Sequence, residues 1–376
     1  MASWEERKVA AKLRAGIVGV GGMGIAHYHA RALAAEEEVE LAACCDINRE
    51  ILERFAEQHG VANTYTSYDE MLEKERLDIV VICTNELLHA SMTIKAAAYK
   101  PKAIICEKPM AMNLAEADAM LSACKENGVV LIIGHQRRYM PQYARAKELL
   151  DEGVIGKLEQ IWASGHPYSS LLVDGTHIVD LIRYYAGDAR IEWVMGQVDA
   201  RSGRVGWQHV LEDASLALIK FETGVRALLT TGGGLHTPAH DALASSPPFE
   251  YNRILLQGTT GMIDIRGDGP VEGLPLVTLI KGDRAEPVEL VPGTGSGASW
   301  HRGVSPHKDL LRCLETGEVH PLSGTSARAT LEVLMAIYES ARLRQVVTLP
   351  LEKGENPLEE MLAERGIPFL QVGSGA

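Results

Sequence analysis

The chain has 376 residues, too many for one comfortable core, and its 46% apolar and 23% charged residues suit two soluble globular domains. Its formal net charge of −13 argues against nucleic acid as a partner, because phosphates would be repelled. No apolar run is long enough to span a bilayer and residues 1–12 hold no apolar signal core, so no membrane association is expected. The six cysteines, Cys44, Cys45, Cys83, Cys106, Cys124 and Cys313, form no Cys-x-x-Cys pair, which fits a reducing, cytoplasmic compartment.

An apolar run beginning at Leu13 ends in Gly19-Val20-Gly21-Gly22-Met23-Gly24, and a helical pattern follows from Gly22 to Leu33. Strand, Gly-x-Gly-x-x-Gly turn and helix form the dinucleotide fingerprint. Gly19 permits the tight turn, Gly21 lets a pyrophosphate approach the backbone, and Gly24 allows close packing of helix on strand. The helix N-terminus then offers free N–H groups to phosphate. A second strand, Val39 to Cys45, ends at Asp46, where such folds place the carboxylate for the adenosine ribose diol. That charge disfavours a 2′-phosphate, so NAD is expected over NADP, although Arg49 keeps NADP open.

Further along, Asn48 caps a helix over residues 49–59 and Gly60 stops it. A short strand spans 64–66, and Ser67 with Glu70 opens the next helix as a capping box. Strands at 77–83, 103–106 and 129–133 alternate with helices at 87–99 and 113–127. This rhythm predicts a parallel sheet covered on both faces. Past Gly134 the pattern changes. Helices at 141–152 and 176–186 are followed by strands at 191–200, 214–221, 225–231, 253–257, 261–265, 277–280 and 288–291, after an earlier one at 158–164. Glu222-Thr223-Gly224 reads as a hairpin turn. Successive strands predict a largely antiparallel sheet. Loops at 237–248 and 292–303, helices at 306–315 and 326–344, and a disordered tail at 373–376 complete the chain. The fold class is α/β, with a Rossmann domain over residues 1–134 and an α+β domain over 135–376.

Glu107-Lys108-Pro109 follows a predicted parallel strand, at the edge where open sheets bind ligands. Lys108 is expected to face the nicotinamide end of the cofactor, and Pro109 allows a cis bond. Asp174-Gly175-Thr176-His177-Ile178-Val179-Asp180 opens a helix, with Asp174 and Thr176 as alternative caps. His177 falls in the first turn, where the positive helix end favours a neutral base, and Asp180 lies one turn on to orient it. A merely packed histidine is the plain alternative. His166, His236, His240, His301 and His307 are scattered without metal-ligand spacing, and no metal is expected.

Together, Gly19-x-Gly21-x-x-Gly24-x-x-His27, Thr84-Asn85-Glu86 through His89, Glu107-Lys108-Pro109, Arg138-x-x-Pro141 and Gly175-Thr176-His177-x-x-Asp180 resemble the Gfo/Idh/MocA oxidoreductases. The resemblance runs from Ala15 to about Leu349. It implies a Rossmann domain for NAD or NADP and a second domain with an open, mostly antiparallel sheet, often an interface in homodimers or homotetramers. It adds Gly22, Met23, Thr84, Asn85, His89 and Glu107 to the cofactor residues. It implies that Lys108 binds the reacting hydroxyl, that His177 is the acid/base, and that substrates are sugars, inositols, glycosides or nucleotide sugars. Two positions depart from the pattern: Asn85 stands where many members have proline, and Val173 where inositol-type members have aspartate, with Asp174 one residue later. The expected reaction is oxidation of a secondary carbinol. A redox-neutral NAD-dependent glycosidase, with Tyr168 as base, and a non-catalytic NAD sensor are the alternatives.

Overall fold

The computed structural model describes residues 11–22, 24–165, 170–206, 208–232, 252–270, 272–293 and 299–370. These form two compact units. The first runs from the described N-terminal residues to Met110 and includes Ala119–Gly134 and Pro306–Gly324. The second holds Ala111–Asp118, the described part of His135–Ser305, and the chain from Thr325.

In the first unit, strands β1 (Leu13–Val18), β2 (Val39–Cys45), β3 (Asn63–Tyr65), β4 (Ile79–Ile82), β5 (Ala103–Cys106) and β6 (Val130–Ile133) make one sheet. Its order is β3-β2-β1-β4-β5-β6, and every pair is parallel. The order reverses between β1 and β4, which puts a binding crevice at the carboxyl ends of those strands. β4 and β5 are buried throughout, as strands covered on both faces should be. Helices α1 (Ile25–Ala34), α2 (Arg49–His59), α3 (Tyr68–Lys74) and α4 (His89–Ala98) fall between strands, as does α5 (Leu114–Asn127), whose first residues are counted with the second unit. Their ends follow side-chain chemistry. The Asn48 side chain accepts from Ile51 N–H, Ser67 from Glu70 N–H and Asn113 from Glu116 N–H, and Gly60 closes α2 at φ 67°. Residues 306–324 return to this unit with helix α8 (Pro306–Thr316), and Ile133 N–H donates to the Leu322 carbonyl at 3.0 Å.

The second unit is built on β7 (Leu158–Ser164), β8 (Ile191–Asp199), β11 (Ala214–Phe221), β12 (Arg226–Gly232), β13 (Arg253–Gly258), β14 (Met262–Ile265), β15 (Val277–Lys281), β16 (Arg284–Pro287) and β17 (Val347–Thr348). Their order is β16-β15-β14-β13-β7-β12-β11-β8-β17, antiparallel except for the β12–β7 pair. β9 (Val205–Gly206) and β10 (His209–Val210) pair separately. Helices α6 (Pro141–Asp151), α7 (Thr176–Tyr185), α9 (Gly324–Leu343) and α10 (Pro357–Ala363) accompany them. α9 lies tight on β8: a Cβ on Gly196 would meet the Ile337 carbonyl oxygen at 2.7 Å. The other face is partly exposed among the described residues. Met195, Leu218, Leu228, Trp162 and Leu255 form a cross-strand row on it, and Trp162, Met195 and Leu218 are exposed.

The expected strand at 288–291 falls one step earlier, at Arg284–Pro287, and Val288 N–H continues the ladder to the Val277 carbonyl. The helix expected from Gly22 begins at Ile25, because Gly24 adopts φ 81°. The loop expected at 237–248 and the tail at 373–376 lie outside the described residues. Among the described residues, no helix is long and apolar enough to cross a membrane. All six cysteines are buried and free.

Candidate active site

In the first unit the glycine turn is set by two contacts. Gly19 N–H donates to the Cys45 carbonyl at 2.9 Å, and Gly19 takes φ 82°. A Cβ there would lie 2.7 Å from the Cys83 carbonyl carbon and the Thr84 nitrogen, so glycine is required by both conformation and space. Gly21 faces Asp46: its N–H donates to Asp46 Oδ2 at 2.9 Å, and a Cβ would meet that oxygen at 3.3 Å. Around Gly22 the space is open apart from the Cys83 carbonyl oxygen at 3.5 Å. Gly24 has nothing within 4 Å of a Cβ, so its role is the left-handed turn rather than close helix packing. Met23 lies outside the described residues.

Two features suit this turn to a dinucleotide. Unlike α2 and α3, α1 has no side-chain cap and no acid in its first turn, so its N-terminal N–H groups are left for an anion. Asp46 accepts from Gly21 at Oδ2 and from Asn48 N–H at Oδ1, 2.9 Å each. Each carboxylate oxygen keeps a lone pair for a further donor, as a ribose diol requires. Arg49 is exposed at the start of α2.

Beyond β4 and β5 the same edge is braced by His89, which is buried. Its Nδ1 lies 2.7 Å from the Pro109 carbonyl and its Nε2 3.1 Å from the Thr84 carbonyl. Carbonyls only accept, so two such contacts call for a proton on each nitrogen. Burial opposes that charge, but Cys106 and the two carbonyls outweigh it and hold the imidazole up at about 9. Asn85 caps the turn after β4 through Leu87 N–H, and Thr84 Oγ1 reaches Met92 Sδ at 3.4 Å. The Lys108–Pro109 bond is cis. Glu107 is buried under this turn and takes Lys108 N–H at Oε2, 3.2 Å, and His29 Nε2 at Oε1, 2.9 Å. Burial raises its carboxyl, yet His29 and Lys108 outweigh that and leave it below the ordinary range. Gly134 makes room for it: a Cβ there would overlap Glu107 Oε1.

In the second unit His177 is 3% exposed in the first turn of α7. The helix does not start freely there, because a π-helical turn, Leu171–Gly175, runs directly into it. Neither Asp174 nor Thr176 is the cap. Ser170 accepts from Val173 N–H at 3.3 Å, while Thr176 Oγ1 pairs with His135 Nε2 at 2.8 Å. Chain continuing ahead of His177 weakens the helix-end argument for its neutrality. Asp180 does not orient the ring either. It is held bidentately by Arg138 Nε and Nη2, 2.8 Å each, and Arg138 also grips Asp188. Burial raises the Asp180 carboxyl, and the Arg138 charge more than offsets this, leaving it low. The His135 ring stands edge-on to His177, with centroids 5.7 Å apart. The buried Glu212 accepts from Leu171 N–H and from Tyr338 Oη, anchoring the π turn. His301 bonds Glu148 Oε1 at 2.7 Å and serves as a loop latch. Tyr168, His166, His236 and His240 lie outside the described residues. The sequence gives no sign of His135, His29, Glu212 or Tyr338 in these roles, since their partners lie tens to hundreds of residues away. Among the described residues, no group of three or more histidine, cysteine or acidic side chains could hold a metal ion.

A doubly wound parallel sheet, a glycine turn entering an uncapped helix and an acid at the end of β2 define a Rossmann-type dinucleotide-binding protein. Residues 13–135 match the family described as "Oxidoreductase family, NAD-binding Rossmann fold". The match assigns residues 13–135 to the NAD-binding Rossmann domain of the Gfo/Idh/MocA oxidoreductases, and the relatives below support an NAD-binding oxidoreductase. It is 26% identical over 368 residues to a D-apiose dehydrogenase of Paraburkholderia graminis, covering 92% of each chain. It is 28% identical over 236 residues to a myo-inositol 2-dehydrogenase of Thermotoga maritima, covering 58% of this chain and 67% of that one. It superposes with a TM-score of 0.74 and 25% identity on an aldose-aldose oxidoreductase of Caulobacter crescentus solved with glycerol, covering 90% of this chain and all of that one.

Proposed function

We propose that this protein oxidises a secondary hydroxyl of a sugar or polyol with NAD. The observation that carries the reading is the turn from Gly19 to Gly24 together with Asp46, whose two carboxylate oxygens are already aligned by backbone N–H groups. The Gly21 and Gly22 backbone and the uncapped start of α1 would hold the pyrophosphate, and Asp46 the ribose diol. A carboxylate in that place disfavours a 2′-phosphate, which supports NAD over NADP. When bound, the nicotinamide supplies the hydride acceptor. Lys108 Nζ is assigned to donate to the substrate oxygen and hold the carbinol, and a ring nitrogen of His177 to take the hydroxyl proton. His89 supports the cofactor edge from behind, through the Thr84 and Pro109 carbonyls. Asp174 is assigned a substrate contact. The relatives' names, an apiose and an inositol dehydrogenase, support a polyhydroxylated substrate. We further assign the open sheet face, with its row from Met195 to Leu255, as the interface of a homodimer.

His177→Ala tests the chemistry. Turnover should fall by roughly 10²-fold or more while NAD affinity is kept. Near-wild-type turnover would remove His177 from the role.

A further inference from the structure

A row of three buried side chains lies behind Lys108 and is not used by the chemistry above. His307, in the first turn of α8, places Nε2 2.8 Å from His29 Nδ1. His29, on α1, places Nε2 2.9 Å from Glu107 Oε1, and Glu107 Oε2 takes the Lys108 N–H. All three side chains lie within the first unit, and each is between 2% and 6% exposed. The two rings meet edge to face at 5.0 Å and 72°.

The proton inventory of this row can be read from its partners. Glu107 is ionised and can only accept, so Nε2 of His29 carries a proton. Burial pushes His307 well below the ordinary range and keeps it neutral. Its Nδ1 is buried with no hydrogen-bond partner among the described residues. A bare lone pair there is less costly than a stranded N–H, so the proton of His307 sits on Nε2 and is donated to His29 Nδ1. His307 therefore selects the His29 tautomer, and that tautomer points an N–H at Glu107. Remove the donor, and His29 is free to move its proton to Nδ1, which turns a lone pair toward the carboxylate. A carboxylate orienting a ring that in turn orients a reacting group is a familiar outer-shell arrangement.

We propose that His307 and His29 are positioning residues for Lys108, acting through the buried carboxylate of Glu107. The inference rests on the assignment of Lys108 to the substrate oxygen. It makes the returning segment Pro306–Gly324 part of the catalytic support, because that segment supplies the terminal donor.

Two variants separate positioning from mere packing. His307→Gln retains an N–H donor, and His307→Phe retains ring volume without one. Imidazole ¹⁵N spectra, assigned with His29→Asn, should show His29 protonated at Nε2 in the wild type and in His307→Gln. That signature should be lost in His307→Phe. With NAD and a panel of aldoses and myo-inositol, kcat should fall roughly tenfold in His307→Phe, with KM and NAD affinity within about twofold, and recover in His307→Gln. A wild-type His29 protonated at Nδ1 overturns the proposal, whether or not His307→Phe folds. So does an unchanged kcat in a folded His307→Phe protein. Lys108→Ala serves as the control. Full turnover there refutes the role of Lys108 itself. Loss there with normal turnover in His307→Phe refutes only the positioning.

Discussion

Gly19→Ala and Gly24→Ala pose one question at two glycines that share a left-handed backbone. Gly19 has φ 82° and Gly24 φ 81°, so each pays the same conformational penalty for a side chain, roughly 1–2 kcal/mol. Space separates them. An alanine methyl at Gly19 would overlap the backbone of Cys83 and Thr84 at 2.7 Å, whereas at Gly24 it meets nothing within 4 Å. The atoms in the way are the main chain just beyond β4, which cannot rotate aside. Overpacking of that kind adds about 1–3 kcal/mol, so Gly19→Ala should cost about 2–5 kcal/mol and Gly24→Ala about 1–2 kcal/mol. Urea unfolding followed by far-UV circular dichroism gives both values, and titration calorimetry with NAD reads the turn directly. Gly19→Ala should also lose NAD affinity, because relieving the overlap displaces either the turn or the Thr84 segment. Equal stability losses in the two variants, or a Gly19→Ala protein with wild-type NAD affinity, would refute the steric argument.

Three further outcomes follow from the same geometry. Asp180→Asn leaves the Arg138 guanidinium buried with one of its two carboxylate partners neutralised and should cost about 3–5 kcal/mol. Because the folded carboxyl of Asp180 lies below its unfolded value, its stabilisation is present above the unfolded carboxylate range and lost on acidification; in Asp180→Asn that part of the acid-unfolding curve should flatten. His89 behaves oppositely. With a folded value of about 9, its stabilisation is full below the unfolded histidine range and lost as pH rises through about 9, so its ¹⁵N signals should titrate there, and a midpoint near the free-imidazole range would contradict the two-carbonyl brace. Leu218→Asp puts a charge in the middle of the exposed apolar row and should convert a dimer to monomer in sedimentation velocity, without changing NAD affinity in the first unit.

Much of the first unit was legible because its signals are local. Short apolar runs bounded by Asn48 and Ser67 mark strands and caps, and each cap forms with the N–H its spacing implies. The glycine turn and Asp46 are legible for the same reason, but a sequence shows that a glycine such as Gly24 is present, not whether conformation or space demands it. The second unit was harder. β16 is exposed and charged, so it lacks the alternation that marks a half-buried strand. The π turn before α7 leaves no distinct pattern in Leu-Leu-Val-Asp-Gly. Asp180 looked like a partner for His177 because it is one turn away. Its real partner, Arg138, lies 42 residues back and could not be ranked from spacing. The His29–His307 contact spans 278 residues.

The central claim is tested most directly by incubating the protein with NAD and a panel of aldoses, inositols and aryl glycosides. Reduced nicotinamide and released aglycone are read in the same samples. Reduced cofactor in step with oxidised polyol, with glycosidic bonds intact, is the predicted result. NAD-dependent cleavage without accumulation of reduced cofactor would contradict it and establish a redox-neutral glycosidase. Tight NAD binding with every compound left unchanged would contradict it in favour of an NAD sensor.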